Sequence, residues 1–187
     1  MSTVNTQLCY LGKWVTKVLK DETTKVSTYT KDTEYLIYFI NQINIVEKNE
    51  YLCDAHATAM FPSIDTEEGM AALLISYETK LVKHTKNLPI KQLIRASHLL
   101  MKHNMFRSGN TYYRQKDGTA IGAPPATDWA TQMFAFYEMT TLQDLFGKHL
   151  RLNRRFVDDK IDLWKVIPNG ETYSEYKNHL NKVCKLN

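Results

Sequence analysis

Apolar residues recur at helical spacing along much of the chain, and this pattern predicts most of the secondary structure. Residues 33–43 are an example, because Leu36, Phe39, Ile40 and Ile43 fall on one helical face. The same spacing predicts helices over residues 7–20, 33–43, 66–84, 90–102, 126–145 and 173–185. Asp65 immediately precedes the third of these helices, and Glu68 lies three residues after Asp65, at the third helical position. This spacing is a capping-box pattern.

Shorter apolar runs predict strands. The segment that begins at Tyr51 is typical of a short buried strand ending near Ala57, and residues 107–115 predict a hairpin that turns at Ser108, Gly109 and Asn110. The sequence RRFVDDKIDLW, residues 154–164, predicts a second hairpin with Asp158 and Asp159 at its turn. Long helices mixed with a few strands predict an α+β fold, in which helices pack on one face of a small antiparallel sheet.

Asp158 and Asp159 are candidates for holding a metal ion. Side chains alternate across a strand, so one acid of the pair can face a site while the other faces its flank. Mg²⁺ takes few protein carboxylates and leaves its other positions to water and phosphate oxygens, which suits such a pair. The alternative is an ordinary acidic turn, since Asp also favours turns for local hydrogen-bonding reasons.

A loop rich in glycine and proline precedes the predicted helix at 126–145. Gly118, Gly122, Pro124 and Pro125 are part of a cluster of five such residues between 109 and 125, out of twelve in the chain. The backbone there must turn sharply or approach another group closely. Trp129 follows in the helix and is expected to pack in the core.

Three of these segments, in this order, resemble the palm of a reverse transcriptase. AMFPSID at 59–65 is similar to the end of the first metal-binding strand, DGTAIGAPPATDWAT at 117–131 to the template-and-nucleotide loop, and FVDD at 156–159 to the Asp-Asp metal motif. The resemblance is strongest to Penelope-like retroelements, which are related to telomerase, and covers about residues 6–185.

The resemblance implies an RNA-directed DNA polymerase that uses two Mg²⁺ ions, with Mn²⁺ as an alternative. Asp158 and Asp159 would hold the metal, while Phe61 would lie beneath the incoming sugar and select deoxynucleotides. Gly118, Gly122 and Pro124 would form the loop that approaches template and nucleotide. The implied partners are an RNA template, a DNA primer and dNTPs.

The chain departs from the family pattern at the first metal ligand. That pattern has an aspartate five residues before the aromatic residue, and counting back from Phe61 gives His56. Asp54 lies two residues earlier, on the same face of a strand but about 6.6 Å away. Either His56 replaces the ligand, or a bulge lets Asp54 serve. We favour replacement, because the spacing downstream fits without an insertion. Imidazole suits Mg²⁺ poorly, so impaired catalysis is expected, and a catalytically inactive nucleic-acid-binding or scaffold module is the alternative.

Positive charge is concentrated in one part of the chain. The net charge is +4, but residues 79–116 contain nine Lys and Arg and no acid, which leaves −5 for the rest. Lys91, Arg95 and Lys102 recur at helical spacing opposite an apolar face. The alternatives are a solvated helix face or a track for the phosphates of a nucleic acid, and the absence of acids favours the track.

Length and composition are those of a globular protein of 187 residues, with 43% hydrophobic and 24% charged residues. No apolar run is long enough to span a membrane, and three cysteines without close pairing favour a reducing compartment. We therefore expect nucleus or cytoplasm rather than secretion. The resemblance assigns residues 1–50 to partial fingers and 51–187 to a single compact palm without a thumb. A thumb or nuclease domain would then belong to a longer chain.

Overall fold

The fold is α+β, as the sequence predicts. The computed structural model describes residues 8–79 and 89–183. The helices are α1 Leu8–Thr23, α2 Thr33–Asn41, α3 Met60–Ser63, α4 Thr66–Glu78, α5 Ile90–Lys102, α6 Ala126–Tyr137, α7 Gln143–Phe146 and α8 Tyr173–Val183. The strands are β1 Glu50–His56, β2 Met105–Ser108, β3 Thr111–Arg114, β4 Leu150–Phe156 and β5 Asp159–Lys165. A π-helical turn, Glu138–Leu142, joins α6 to α7.

Contacts divide the chain into two compact units. The first comprises Met1–Val26 and Phe61–Phe136, and the second Ser27–Met60 and Tyr137–Asn187. This division reflects packing within each unit. The boundary expected after residue 50 separates partial fingers from palm, which is a different division, and it stays a prediction.

The first unit is built around one helical core. Gly69 of α4 has no side chain, and a Cβ there would lie 2.5 Å from the Trp129 ring, so the helix approaches the indole closely. Trp129 is 1% exposed, which confirms its expected place in the core. The buried cluster contains Val15, Leu19, Met70, Leu73, Tyr77, Leu93, Ala96, Leu100, Met101 and Trp129. The unit also carries the β2–β3 hairpin, whose strands pair from Met105↔Arg114 to Ser108↔Thr111.

The second unit contains an antiparallel sheet of order β1-β5-β4. β5 is central, so it pairs with β1 on one side and with β4 on the other. An isolated bridge from Tyr29 to Arg155 extends the outer side of β4. The adjoining core holds Leu142, Phe146, Trp164, Tyr176 and Leu180.

Most predicted elements are confirmed, with small shifts at their ends. Asp65 caps α4 as expected, because its carboxylate accepts from the backbone N–H groups of Glu67 and Glu68. α5 has the predicted bounds. The predicted helix over 126–145 is interrupted by the π-helical turn. Residue 7 and residues 80–84 and 184–185, at the ends of three predicted helices, lie outside the described residues.

The expected burial of the first strand is wrong. β1 is an edge strand, in which only Glu50 and Ala55 are buried. An edge strand has a neighbour on one side only, which leaves Tyr51 and Leu52 exposed. In α2 none of the residues is buried, and Leu36 and Phe39 on its apolar face are half-buried.

No helix among the described residues is both long enough and apolar enough to cross a membrane.

Candidate metal centre

The two acids lie at the tip of the β4–β5 hairpin. Phe156 pairs with Asp159, so Val157 and Asp158 form a two-residue turn. Val157 has φ of 55°, in the left-handed region that β-branched residues rarely adopt. Arg155 Nη1 donates to the Val157 carbonyl at 3.0 Å, which holds the turn in this conformation.

The end of β1 brings His56 to this tip. His56 pairs with Asp159 in the β1–β5 register, and Ala57 N–H donates to the Asp158 carbonyl at 2.9 Å. The Nδ1 atom of His56 lies 2.8 Å from Oδ1 of Asp159. One ligand atom from each of His56, Asp158 and Asp159 lies within 4.8 Å of the other two. The side chains of His56 and Asp159 are 53% and 69% exposed, so the group is open to solvent.

Asp54 does not join this group. It pairs with Ile161, two positions along β5 from Asp159. The β1–β5 register runs without interruption from Glu50↔Lys165 to His56↔Asp159, so no bulge moves Asp54 towards the tip. The structure therefore places His56, and not Asp54, beside the two acids.

The donor set fits one divalent cation better than a pair of Mg²⁺ ions. Two ligands of one Mg²⁺ lie at most about 4.2 Å apart, so atoms within 4.8 Å can converge on an ion after small side-chain rotations. Two carboxylates and an imidazole supply oxygen and nitrogen, a mixture that suits Mn²⁺ or later transition metals more than Mg²⁺. Neutral imidazole has one lone pair on one ring nitrogen, so His56 cannot bridge two ions as a carboxylate can.

Electrostatics tie His56 to the acids. The hydrogen bond to Asp159 raises the pKa of His56, and the charges of Asp158 and Asp159 act in the same direction, against the effect of desolvation. In this arrangement His56 and Asp159 satisfy each other, and a cation would have to replace that contact.

A buried ionic cluster supports the β4–β5 hairpin, and no motif in the sequence indicates it directly. Arg155 and Lys160 are cross-strand partners and both are buried, which would be unfavourable for two like charges alone. Glu138 accepts from Arg155 at 3.1 Å and from Lys160 at 3.0 Å, and Thr28 Oγ1 donates to it at 2.6 Å. Although burial alone raises the pKa of Glu138, the two cations bring it to about 2. The only hint in the sequence is that Lys160 and Asp162 alternate with the apolar residues of β5.

Asp162 is the second carboxylate of this cluster. Its Oδ1 lies 3.4 Å from Lys160 Nζ, and Tyr173 donates to its Oδ2 at 3.3 Å. Burial outweighs these contacts and raises the pKa of Asp162 to about 6.

The loop residues assigned to nucleotide binding belong to the first unit. Gly118 has φ of 82°, and a Cβ there would lie 2.8 Å from the Pro62 carbonyl oxygen, so packing within the unit already requires glycine. Gly122 has φ of 92° and open space around its Cα. Pro124 packs against Gly12 of α1, and Phe61 is half-buried with its carbonyl accepting from Thr119 N–H at 2.7 Å. Their roles in nucleotide binding stay predictions.

The basic residues of α5 do not form a uniform face. Lys91 and Arg95 are exposed, on the side opposite buried Leu93 and Leu100. Lys102 instead pairs with Glu67 of α4 at 2.8 Å. Glu67 thus places an acid beside Lys102, although the segment 79–116 that contains Lys102 has no acid of its own.

The fold resembles part of telomerase in solved structures. The structure of apo telomerase from Candida tropicalis truncated from its C-terminal domain matches with a TM-score of 0.67 and 14% identity, over 94% of this chain and 39% of that chain. The structure of telomerase from Candida albicans in complex with a TWJ fragment of telomeric RNA matches with a TM-score of 0.57 and 11% identity, over 94% of this chain and 32% of that chain. No family model and no curated protein matches the sequence. The chain therefore has the fold of a telomerase region, and spans well under half of those chains.

Proposed function

We propose that the chain is the palm of an RNA-directed DNA polymerase whose metal site is altered by His56. It would transfer nucleotides from dNTPs to the 3′-hydroxyl of a DNA primer on an RNA template. The observation that carries the proposal is the convergence of His56, Asp158 and Asp159 at a hairpin tip, within a fold similar to part of telomerase.

The proposed roles follow from the chemistry of each side chain. His56, Asp158 and Asp159 would hold a divalent cation. When bound, cations in nucleotidyl transfer activate the primer oxygen and stabilise the leaving pyrophosphate. Phe61 would exclude a 2′-hydroxyl by its bulk, and Gly122 would let the loop backbone approach a nucleotide. Since His56 is a poor ligand for Mg²⁺, we infer weak activity with Mg²⁺ and a relative gain with Mn²⁺.

The second candidate is a nucleic-acid-binding or scaffold module without catalysis. The contact of His56 with Asp159 at 2.8 Å favours this candidate, because it satisfies a carboxylate that a catalytic ion would need. A nucleic-acid-binding module would bind a primer–template as the polymerase does, so activity is the measurement that separates the two.

Primer extension tests the proposal. The natural chain, His56→Asp and Asp158→Asn are compared for extension of a DNA primer on an RNA template, each with Mg²⁺ and with Mn²⁺. The 187-residue chain and any longer reading frame that encodes it are both assayed. We expect His56→Asp to raise the rate with Mg²⁺ at least ~10-fold, since altered support of a metal ligand typically costs 10–100-fold. Asp158→Asn should abolish extension.

Two outcomes would contradict the proposal. Equal rates for the natural chain and His56→Asp, both lost in Asp158→Asn, would show that His56 does not limit the metal site. No extension by any version, with primer–template binding intact, would favour the non-catalytic module.

A further inference from the structure

The β2–β3 hairpin exposes every one of its strand residues on both faces. A two-stranded hairpin with no covered face is only marginally stable in water. The apolar side chains that this hairpin exposes to solvent therefore require an explanation. Phe106 and Tyr113 are cross-strand partners and stack with ring centroids 5.4 Å apart, which stabilises one face.

The other face combines an aromatic ring with positive charge. Side chains alternate along a strand, so Arg107 and Tyr112, which pair across the hairpin, share this face with Met105 and Arg114. The Arg107 guanidinium carbon lies 5.9 Å from the centre of the Tyr112 ring. The hairpin contains no acid, and Lys116 lies two residues beyond its end, followed by Asp117.

The turn holds Arg107 in place. Its Nε donates to the Gly109 carbonyl at 2.6 Å, and its Nη2 donates to the Asn110 side chain at 3.1 Å. Guanidinium N–H groups beyond these two bonds remain for an external acceptor, because Arg carries five donors. Tyr112 is 56% exposed, so its ring has a free surface beside a fixed cation.

We propose that the face formed by Arg107, Tyr112 and Arg114 is a stacking platform for single-stranded nucleic acid. A base stacks on the Tyr112 ring, and the arginines contact the flanking phosphates. Proteins that bind single strands without sequence preference combine these two elements. The inference rests on the proposed function only in taking a nucleic acid as the partner, and it adds which strand form is bound and where.

Charge distinguishes this surface from α2, another exposed element with apolar side chains. α2 is largely exposed and contains Tyr38 and Ile37, but its sequence TEYLIYFIN has an acid, Glu34, and no basic residue. The guanidinium carbon of Arg154 from β4 lies 3.3 Å from the centre of the Phe39 ring of α2, so the contrast concerns the charges of the two elements themselves. A helix with an acid and no cation of its own complements phosphate less well than the hairpin face does. α2 therefore supplies a matched control, because Tyr38 is 57% exposed.

Binding of a labelled 12-mer of deoxythymidine, followed by fluorescence anisotropy, tests the platform. Tyr112→Ala should weaken binding about 5- to 150-fold, which corresponds to the loss of one base–aromatic stack. Tyr112→Phe keeps the ring and should retain the affinity. Arg107→Ala should make the log–log salt slope shallower by about 0.7, the value for one phosphate of a single strand. Tyr38→Ala should have no effect.

Because Tyr112 is exposed, its substitution should not disturb the fold. The circular dichroism spectra of these variants should therefore match that of the natural chain. An unchanged affinity in Tyr112→Ala, an equal loss in Tyr112→Phe, or no binding by the natural chain would overturn the inference. So would a dimer that Tyr112→Ala dissociates while oligonucleotide binding persists, since the hairpin would then be a protein interface. The assay measures oligonucleotide binding and involves no primer extension, so failure of the polymerase proposal and failure of the platform are separable.

Discussion

At the scale of single residues, Val157 shows a backbone conformation that suits glycine. Both hairpins turn through two residues, and in each the first has positive φ, 59° for Gly109 and 55° for Val157. Gly109 adopts this without strain, whereas a β-branched residue there costs roughly 1–3 kcal/mol. Val157 adjoins Asp158, so the tip of the β4–β5 hairpin has a backbone conformation that the intrinsic preference of valine does not favour.

Substitutions at Val157 test this strain. In regular structure Gly is less stable than Ala by roughly 0.5–1 kcal/mol. At Val157 we expect the reverse order, with Val157→Gly more stable than Val157→Ala by roughly 1 kcal/mol, because only glycine relieves the positive φ. Urea unfolding of both variants measures the difference. Greater stability of the alanine variant would show that the turn is not strained.

Glu138 should control stability towards acid. Its pKa of about 2 lies below the ordinary value of 4.5, so its contribution is complete above pH 4.5 and is lost as the pH falls towards 2. Glu138→Gln removes the acceptor between Arg155 and Lys160, and should cost about 3–5 kcal/mol at pH 7. It should also flatten the dependence of the unfolding free energy on pH between 4.5 and 2.

Asp162→Asn is the matched control for that experiment. The pKa of Asp162 is about 6 because of burial, so its ionisation opposes folding above that pH. Asp162→Asn should therefore cost less than Glu138→Gln at pH 7. An equal or larger cost would mean that Asp162, rather than Glu138, balances the two buried cations.

At the scale of elements, close contacts between helices depend on residues without side chains. α4 approaches Trp129 of α6 at Gly69, where a Cβ would lie 2.5 Å from the ring. Trp129 is buried and has little room to move. α4 thus contains a residue of low helix propensity because packing requires it.

Gly69→Ala separates packing from propensity. Propensity alone would stabilise α4 by about 1 kcal/mol, whereas overpacking a core typically costs 1–3 kcal/mol. We expect net destabilisation, visible as a lower thermal midpoint. The exposed Ala71 in the same helix serves as a reference, since Ala71→Gly should lose only the propensity difference. A higher midpoint for Gly69→Ala would mean that the indole moves freely.

The contribution of α5 to primer–template binding should be unequal along the helix. Lys91→Ala together with Arg95→Ala should make the log–log salt slope shallower by about 1.8, or 0.9 for each phosphate contact. Lys102→Ala should change it less, because Lys102 already pairs with Glu67. Lys48→Ala, at an exposed position of the second unit, is the control. An unchanged slope in the double variant would leave α5 as ordinary solvated surface.

At the scale of the whole molecule, local sequence patterns predicted which helices and strands form better than they predicted how deeply those elements are buried. The Asp65 cap and the Gly109 turn are encoded within a few residues, so α4 and the β2–β3 hairpin follow from the sequence. Burial depends on which strands are neighbours. The order β1-β5-β4 leaves Tyr51 exposed, and no local pattern reports that order.

The surroundings of the candidate site were harder to predict for the same reason. The sequence indicated Asp158 and Asp159 as an acidic pair at a turn, and His56 only through the resemblance to the family pattern; their grouping requires the β1–β5 register. Lys160 alternates with apolar residues and so resembles an exposed position, yet it is buried against Glu138, 22 residues away in the chain. Contacts between distant segments therefore determine the electrostatics of the hairpin.

Binding of Mn²⁺ tests the central claim most directly, and is measured by the decrease in the electron paramagnetic resonance signal of the free ion. We expect one Mn²⁺ site in the natural chain, weakened by Asp158→Asn, Asp159→Asn and His56→Ala. Asp54→Asn, on the same strand but outside the group, should leave it unchanged. Competition with Mg²⁺ should be weak in the natural chain and stronger in His56→Asp. Mn²⁺ binding that survives Asp158→Asn and His56→Ala, or that is lost in Asp54→Asn, would contradict the account.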